Sequence, residues 1–175
     1  HLEFARETVR SFNYRYNTNV LIEPQMKNTE IPKVLGIDGV EKMSKSLDNH
    51  IELAATPDET QKRVMQMVTD PQRMRRTDPG RPEVCNVFSM HKIFSPAEQV
   101  AEIDVECRRA GIGCVDCKKR FAANLNAHLA PFRQRRSELA QDMDAVKAVL
   151  DDGAARARVI AEQTMIAVRA AVGLP

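Results

Sequence analysis

The chain has 175 residues, of which 29% are charged and 43% hydrophobic, and its formal net charge is +2. Its 26 lysines and arginines nearly balance its 24 aspartates and glutamates, so overall charge does not indicate a nucleic-acid binder, and any such surface must be local. The sequence has neither an apolar run long enough to span a bilayer nor a signal-peptide pattern at its start. We therefore expect a cytoplasmic protein with no membrane contact, long enough for one domain and part of another.

The first 34 residues combine one helical pattern with one short apolar run. A stripe with spacings of three and four residues predicts a helix of about four turns. It consists of Leu2, Ala5, Val9, Phe12 and Tyr16. The run Val20-Leu21-Ile22 then predicts a short buried strand, and residues 26–34 form a polar connection interrupted by proline.

Two lysines three residues apart mark the next segment, Lys42-Met43-Ser44-Lys45-Ser46, which we call the lysine loop. Small hydroxyl residues lie beside the ammonium groups, and the turn Gly36-Ile37-Asp38-Gly39 precedes them. Ammonium groups on a mobile loop can close on a polyphosphate and follow its charge as it moves. A lone K-x-x-K pattern is more often a solvated surface turn, and the spacing by itself does not exclude that alternative.

Downstream of the lysine loop the pattern becomes helical and the strand pattern disappears. Two segments predict helix starts with a capping box and a proline, namely Thr56-Pro57-Asp58-Glu59 and Ser95-Pro96-Ala97-Glu98. Three apolar stripes follow: Val100, Ile103, Cys107 and Ala110; Phe121, Leu125, Leu129 and Phe132; and Ile160, Met165 and Val168. We therefore expect a mostly α chain, in which residues 1–52 end an incomplete α/β domain and residues 53–175 form a helical domain.

The four cysteines, Cys85, Cys107, Cys114 and Cys117, have the pattern C-x21-C-x6-C-x2-C. Disulfides are disfavoured in the cytosol, so four cysteines that end in a C-x2-C pair favour a metal or cluster site. Zinc takes four thiolates in a closed tetrahedral site, and iron–sulfur clusters also use four cysteine ligands. The spacing does not separate zinc from iron, and free thiols, with Cys107 simply packed on its helix stripe, are the third alternative.

A basic segment begins directly after the last cysteine. Its six cations are Lys118, Lys119, Arg120, Arg133, Arg135 and Arg136, and no acidic residue lies between the first and the last of them. Lysine and arginine on one helix can bind RNA phosphates without reading sequence, or they can form a solvated helix face. His91 and His128 lack a second ligand at helical spacing, so we expect them in packing or at the surface.

Lys-Met-Ser-Lys-Ser is a signature of class I aminoacyl-tRNA synthetases, and over nearly its whole length the chain resembles the bacterial tryptophanyl-tRNA synthetase family. The other segments that match in order and spacing are His1 to Glu7, Phe12-Asn13, Val68 to Pro71, Pro79-Gly80, Pro82-Glu83, Asn86 to Phe88, His91, Phe94, Gly153, Ala157-Arg158, Thr164-Met165 and Val168-Arg169. The resemblance implies the end of a Rossmann-like α/β catalytic domain followed by an α-helical anticodon-binding domain. It further implies tryptophan, ATP with Mg²⁺ and tRNA(Trp) as substrates, and a homodimer for the complete enzyme.

That resemblance also assigns roles to single residues. Lys42 and Lys45 would be catalytic, stabilising the leaving pyrophosphate, and Asn49 would steady the loop. ATP would be bound by Val34, Lys42, Met43, Ser44, Lys45 and Ser46. The cysteine pattern resembles the subset of the family that carries a [4Fe–4S] cluster, with a first interval one residue shorter, and so favours iron–sulfur over Zn²⁺ on Cys85, Cys107, Cys114 and Cys117.

The family's nucleotide-binding half, with its His-x-Gly-His motif, would lie upstream of His1, so we expect this piece to be inactive alone. The alternative hypothesis is that the chain is a free-standing RNA-binding or interaction module, which carries a metal or a cluster and descends from such an enzyme.

Overall fold

The computed structural model describes residues 1–28, 31 and 33–174. Their α-helices are α1 (Leu2–Arg15), α2 (Pro57–Met65), α3 (Asn86–Phe94), α4 (Ala97–Arg108), α5 (Cys114–Ala140) and α6 (Met143–Val172). Two single 3-10 turns cover Lys45–Leu47 and Pro82–Val84. The expectation of a mostly α chain is confirmed. None of the described helices combines the length and the hydrophobicity that crossing a membrane requires.

The chain divides into two compact units. The first unit contains residues 1–32 and 139–175, and the second contains residues 33–138. The boundary expected after residue 52 falls inside the second unit and stays a prediction. Part of the connection expected at residues 26–34, namely Thr29, Glu30 and Pro32, lies outside the described residues.

In the first unit the predicted helix is present as α1, but the predicted strand is wrong. Residues Val20–Ile22 form no strand, and the Ile22 side chain is 88% exposed. The Leu21 backbone bonds to a side chain instead, because Asn13 Nδ2 donates to the Leu21 carbonyl at 2.7 Å and Asn13 Oδ1 accepts from the Leu21 N–H at 3.3 Å. A strand needs a neighbouring backbone for these groups, and no described residue outside the 20–22 run supplies one.

The other helix of the first unit, α6, begins and ends with capping residues. Asp142 Oδ1 accepts from the Ala145 N–H at 2.9 Å, and Gly173 ends the helix with a φ of 75°, which glycine adopts without strain. None of the residues of α6 is buried, and Ile160 of the predicted apolar stripe is 68% exposed. The helical prediction is right here, but Ile160 and Met165 of the stripe are exposed and Val168 is only half-buried.

The second unit holds the hydrophobic core, where residues from α2, α3 and α5 meet. Its buried members are Ile51, Val64, Met67, Val87, Met90, Phe121, Ala122, Leu125 and Leu129. The stripe predicted for α5 is confirmed from Phe121 to Leu129, whereas Phe132 is 46% exposed. Phe132 follows Pro131, which lies inside the helix, and the buried stripe ends before both.

The two predicted capping boxes have different outcomes. Thr56 caps α2 in both directions, since its side chain accepts from the Glu59 N–H and the Glu59 carboxylate accepts from the Thr56 N–H. Ser95 makes no such bond, and α4 begins after Pro96. The Ser95 hydroxyl is held instead by His91 Nδ1 and by Asn124 Nδ2, each at 2.7 Å. Tertiary contacts therefore take the group that the sequence pattern assigns to the cap.

Candidate functional site

The lysine loop begins in a short, hairpin-like backbone pairing. The Gly36 N–H donates to the Glu41 carbonyl and the Met43 N–H donates to the Val34 carbonyl, both at 2.9 Å. Leu35 and Lys42 form the single β-bridge among the described residues. This pairing fixes the first half of the lysine loop and engages the N–H of Met43.

The turn before the loop depends on glycine and on one carboxylate. Gly39 has a φ of 70° and donates to the Gly36 carbonyl at 3.0 Å. Asp38 Oδ1 accepts from the N–H groups of Val40 and Glu41, at 2.8 and 3.0 Å. These backbone bonds, led by that of Val40, together with the bond from the Asn49 side chain, lower the pKa of Asp38. A charged carboxylate thus organises the turn.

Asn49 ties the two sides of the loop together. Its side chain is nearly buried, its Oδ1 accepts from the Ser44 N–H at 2.7 Å, and its Nδ2 donates to Asp38 Oδ2 at 2.6 Å. The same Nδ2 lies 3.3 Å from the Lys42 carbonyl. Gly36 packs so closely on Asn49 that a Cβ at residue 36 would overlap the amide. The loop therefore has a rigid base.

The loop base is rooted in the core of the second unit. The buried amide of Asn86, the first residue of α3, donates to the Gly36 carbonyl at 2.7 Å. The Ile37 carbonyl accepts from the Val68 N–H at 2.9 Å, just beyond α2. Both contacts join the turn to helices that pack on the core.

The two ammonium groups themselves are exposed. Neither the Lys42 nor the Lys45 ammonium group forms a hydrogen bond or an ion pair with any residue that the structure describes. Ser44 lies between the two lysines in the sequence and Ser46 follows Lys45. The hydroxyl groups of these serines are 2.8 Å apart. Lys45 begins the 3-10 turn, which ends at Asp48 with a left-handed φ of 47°. Two unpaired cations on a loop with a fixed base can meet an anionic ligand without first breaking an internal ion pair.

Sequence reasoning missed Arg63, which reaches this loop from α2. Its Nη2 lies 2.8 Å from Asp48 Oδ1, and its Nε donates to the His50 carbonyl at 3.0 Å. The contact spans 15 residues of sequence, and no local spacing rule connects such a pair.

The second predicted site, the four cysteines, comes together around the start of α5. All four thiols are free and half-buried. Cys85, Cys107 and Cys117 each interact electrostatically with other members of the set, and these interactions together connect all four. Burial first, and the other three thiols next, raise the pKa of Cys117 to about 12. Burial likewise raises the pKa of Cys85 and of Cys107.

The loop between α4 and α5 brings the last three cysteines together. Ala110 takes a left-handed φ of 58°, and the Gly111 N–H donates to the Glu106 carbonyl at 2.7 Å. Ile112 is buried beneath this reversal, so the chain turns back directly into Cys114. The positive φ of this reversal thus falls on Ala110, one residue before Gly111.

Two further groups contact the thiols. Arg73 Nη1 lies 3.7 Å from Cys107 Sγ, and His91 Nε2 lies 3.6 Å from Cys117 Sγ and 3.2 Å from the Cys117 carbonyl. His91 is fully buried, with its ring edge-on to Phe121, and burial lowers its pKa. It is a packing residue, as the sequence predicts, and His128 lies at the surface against Phe94.

The donor chemistry of the four thiols fits a thiophilic metal, but their arrangement is not that of a formed metal site. Among the described residues no group of three or more His, Cys, Asp or Glu side chains is positioned to hold a metal ion. The thiols of Cys85, Cys107 and Cys117 still share one feature with metal sites, because burial disfavours the loss of their protons and a bound cation would compensate the charge.

The basic segment of α5 is less free than its sequence indicates. Arg120 pairs with Glu102 at 2.8 Å and Arg135 with Glu138 at 3.3 Å. Lys118 donates to the Met65 carbonyl at 2.9 Å, and Arg133 donates to Thr60 Oγ1 at 2.8 Å. Acidic residues outside the segment therefore do offset it. The side chains of Lys119 and Arg136 form no ion pair or hydrogen bond with the described part of the chain.

Comparisons with known proteins identify what this arrangement is similar to. The family model described as tRNA synthetases class I (W and Y) matches residues 1–130. A tryptophan–tRNA ligase of Aquifex aeolicus is 43% identical over 100% of this chain and 44% of its own length. A tryptophan–tRNA ligase of Deinococcus radiodurans is 39% identical over 99% of this chain and 52% of its own length.

One solved structure extends the similarity to the fold. Tryptophanyl-tRNA synthetase from Campylobacter jejuni, crystallised with ADP and tryptophan, aligns with a TM-score of 0.80 and 30% identity. The alignment covers 99% of this chain and 54% of that protein. The chain thus spans about half the length of the relatives that it matches.

Proposed function

Because this chain belongs to the class I tRNA synthetases for tryptophan and tyrosine, we propose that it is the C-terminal portion of a tryptophan–tRNA ligase. The single observation that carries the proposal is the lysine loop, with its two unpaired ammonium groups on a fixed base. The tryptophan specificity is supported by the ligases of that name, about 40% identical over nearly the whole chain.

The proposed reaction has two steps. The tryptophan carboxylate attacks the α-phosphorus of ATP, a new P–O bond forms, and pyrophosphate leaves as the α–β bridge bond breaks. The 2′-hydroxyl of the terminal tRNA adenosine then takes the tryptophanyl group and releases AMP. Mg²⁺, bound with ATP, would neutralise phosphate charge in the first step.

Lys42 and Lys45 act in the first step. Negative charge grows on the leaving pyrophosphate as the bond breaks, so cations aimed there bind the transition state more tightly than the ground state. The ammonium groups carry no internal partner among the described residues, which leaves their full charge for the phosphates.

The remaining loop residues hold ATP in place. Ser44 and Ser46 offer hydroxyls to the phosphates, and Val34 lines the adenine edge. The Met43 N–H is bonded to Val34, so the Met43 carbonyl is the backbone group that remains for the adenine amino group.

The test is tryptophan-dependent exchange of labelled pyrophosphate into ATP. It uses the complete enzyme, which would also contain the part of the relatives' length that this chain does not cover. Exchange that requires tryptophan supports the proposal, exchange that requires tyrosine corrects the specificity, and no exchange with either amino acid contradicts it.

For the cysteines we propose a [4Fe–4S] cluster held by Cys85, Cys107, Cys114 and Cys117, with Zn²⁺ as the alternative. Support comes from the donor set and from the grouping of the thiols at the start of α5. Either group would supply a compensating cationic charge and a fixed geometry to this end of the helix. The arrangement described above would have to tighten to form the site.

The helical part, residues 53–175, is proposed to bind the anticodon region of tRNA(Trp). Lys119 and Arg136 on α5 are the cations of the basic segment that remain available for RNA phosphates in the described chain. A homodimer of the complete enzyme and a cytoplasmic location follow from the same family membership as further proposals.

The second candidate is a free-standing RNA-binding module. The cysteine group and the α5 cations are compatible with it, but a module without an adenine site has no need of Lys42 to Ser46 in the order of the synthetase signature. Pyrophosphate exchange separates the two candidates, because a module binds RNA and exchanges nothing.

A further inference from the structure

Arg63 lies in the last turn of α2, and its guanidinium group closes on the segment that ends the lysine loop. Its Nε donates to the His50 carbonyl at 3.0 Å, and its Nη2 donates to the Asp48 carbonyl and to Asp48 Oδ1. Gln66 Oε1 accepts from Nη1 at 3.0 Å, which fixes the plane of the guanidinium. All three nitrogens are thus engaged, and the two carbonyls bracket Asn49.

The helix that carries Arg63 is a firm base. The reciprocal cap of Thr56 and Glu59 secures its first turn. Thr60 and Val64, three residues before and one residue after Arg63, are fully buried. A displacement of the Arg63 backbone would therefore require a displacement of α2 against the core.

The stretch from Lys45 to Asp48 has fewer anchoring bonds than the beginning of the lysine loop or than Asn49, whose carbonyl accepts from the Ile37 N–H at 2.8 Å. The beginning is held by backbone pairing between Met43 and Val34. From Lys45 to Asp48 the backbone N–H groups bond only within the 3-10 turn, as far as the structure describes them. Asp48 is in a left-handed conformation that costs free energy for a residue with a Cβ.

We propose that Arg63 is a positioning residue for the lysine loop: its bonds to the carbonyls of Asp48 and His50 set the end of the 3-10 turn and hence the direction of Lys45. The inference rests on the proposed function, because the direction of Lys45 matters only if the loop acts on ATP. Arg63 itself touches no phosphate in this account.

The carbonyl bonds, rather than the charge pair, do the positioning. The Asp48 side chain is 88% exposed, and an ion pair with so exposed a partner contributes little. Lysine keeps the charge of arginine but is a compact point charge. It lacks the planar fork with which Nε and Nη2 of arginine bond to two separate carbonyls. Arg63→Lys therefore removes the geometry and keeps the charge.

The experiment compares Arg63→Lys and Arg63→Gln in the complete enzyme with the matched control Arg156→Lys. Arg156 also pairs with an aspartate, Asp152 at 2.9 Å, on the exposed face of α6. Two rates are measured: tryptophan-dependent pyrophosphate exchange, and transfer of tryptophan from preformed adenylate to tRNA. A third variant, Asp48→Asn, removes the charge pair and keeps the carbonyl.

We expect Arg63→Lys to lower kcat for exchange about tenfold or more, the scale of a small misplacement of a catalytic group, with the KM for ATP changed less than about threefold. Transfer from preformed adenylate should stay at the wild-type rate, and any fall in the melting temperature from the lost bonds should leave the variant folded at the assay temperature. Arg156→Lys should match the wild type, and Asp48→Asn should lose less exchange activity than Arg63→Lys.

Two results would overturn the inference. The first is wild-type exchange by Arg63→Lys. The second is an equal loss of exchange and transfer together with a lower melting temperature, which would make Arg63 a merely structural residue. Absence of exchange in the wild type is a different failure, because it removes the proposed function on which the inference rests.

Discussion

The buried Asn49 and the half-buried Asp38 form a pair in which the amide donates to the carboxylate at 2.6 Å, 11 residues apart in the sequence. This hydrogen bond joins the turn before the lysine loop to the segment that follows the loop. We expect Asn49→Ala to lower the free energy of unfolding by about 1–3 kcal/mol, since it leaves the Ser44 N–H and an Asp38 oxygen without their partner. Urea unfolding of the chain measures this, and a loss well below that range would mean that the loop is not anchored there.

Asn49→Asp is the charge-changing counterpart. It places a second carboxylate beside Asp38, so one of the two must be protonated in the folded state or the charges repel. The folded-state pKa of that carboxyl is then raised, and its contribution to stability is lost as the pH rises through it. Asn49→Asp should therefore be more destabilising at pH 8 than at pH 5, and equal unfolding midpoints at the two pH values would contradict this.

Lys45→Ala in the complete enzyme tests the role of the lysine loop. Losing one preorganised cation at the leaving pyrophosphate should slow adenylate formation by roughly 100-fold or more. Stability should not change, because the Lys45 ammonium group bonds to no described residue. Pyrophosphate exchange at the wild-type rate in a folded variant would remove Lys45 from the mechanism.

Anaerobically purified chain should contain about four irons and four sulfides with a broad brown absorption, as a cluster on four cysteines requires. The Cys117 thiol interacts with the other three, so Cys117→Ser should abolish that absorption. One zinc and no iron would replace the cluster by a structural zinc site. Four alkylatable thiols without metal would contradict both.

Asp70 and Arg81 should make the second unit sensitive to acid. The Arg81 guanidinium donates twice to the nearly buried Asp70 carboxylate, and this hydrogen bonding holds the pKa of Asp70 well below its usual range. A carboxyl with a depressed folded-state pKa contributes stability above its unfolded-state value, and that contribution is lost as the pH falls below about 4.

Asp70→Asn separates this pair from other carboxylates. It should lower the free energy of unfolding by about 1.5–3 kcal/mol at pH 7, the range for hydrogen bonds to a charged group. The difference from the wild type should shrink as the pH falls from 4 towards 2. A difference that is constant over that range, measured by urea unfolding, would contradict the linkage.

The basic segment offers a matched pair of variants. Arg133 bonds to Thr60, Asn126 and the Leu53 carbonyl, so Arg133→Ala should lower stability. Lys119→Ala should leave stability unchanged and weaken tRNA binding with a smaller salt dependence, since one phosphate contact is lost. Equal RNA affinity of Lys119→Ala and the wild type in low salt would remove Lys119 from the proposed surface.

Several elements could be predicted from the sequence because their causes are local. The apolar stripe of α1, the reciprocal cap at Thr56 and the buried face of Phe121 to Leu129 each follow from residues within a few turns of one another. The predicted strand at Val20–Ile22 is wrong because a strand depends on a neighbour, and the Asn13 side chain supplies the bonds instead. The cap at Ser95 is wrong because His91 and Asn124 take its hydroxyl.

By itself the sequence determined the helical class of the chain, the two lysines of the loop, the four cysteines and the resemblance to one synthetase family. These are properties of residue type and spacing, and spacing along a chain is fixed by covalent geometry. Only the tertiary structure decided that Lys42 and Lys45 stay unpaired, that Arg133 and Lys118 are used internally, and that Arg63 closes the loop. Each of these outcomes depends on which groups, distant in the sequence, lie next to the charged side chain in the folded chain. The packing of α2, α3 and α5 on a shared core sets those neighbours.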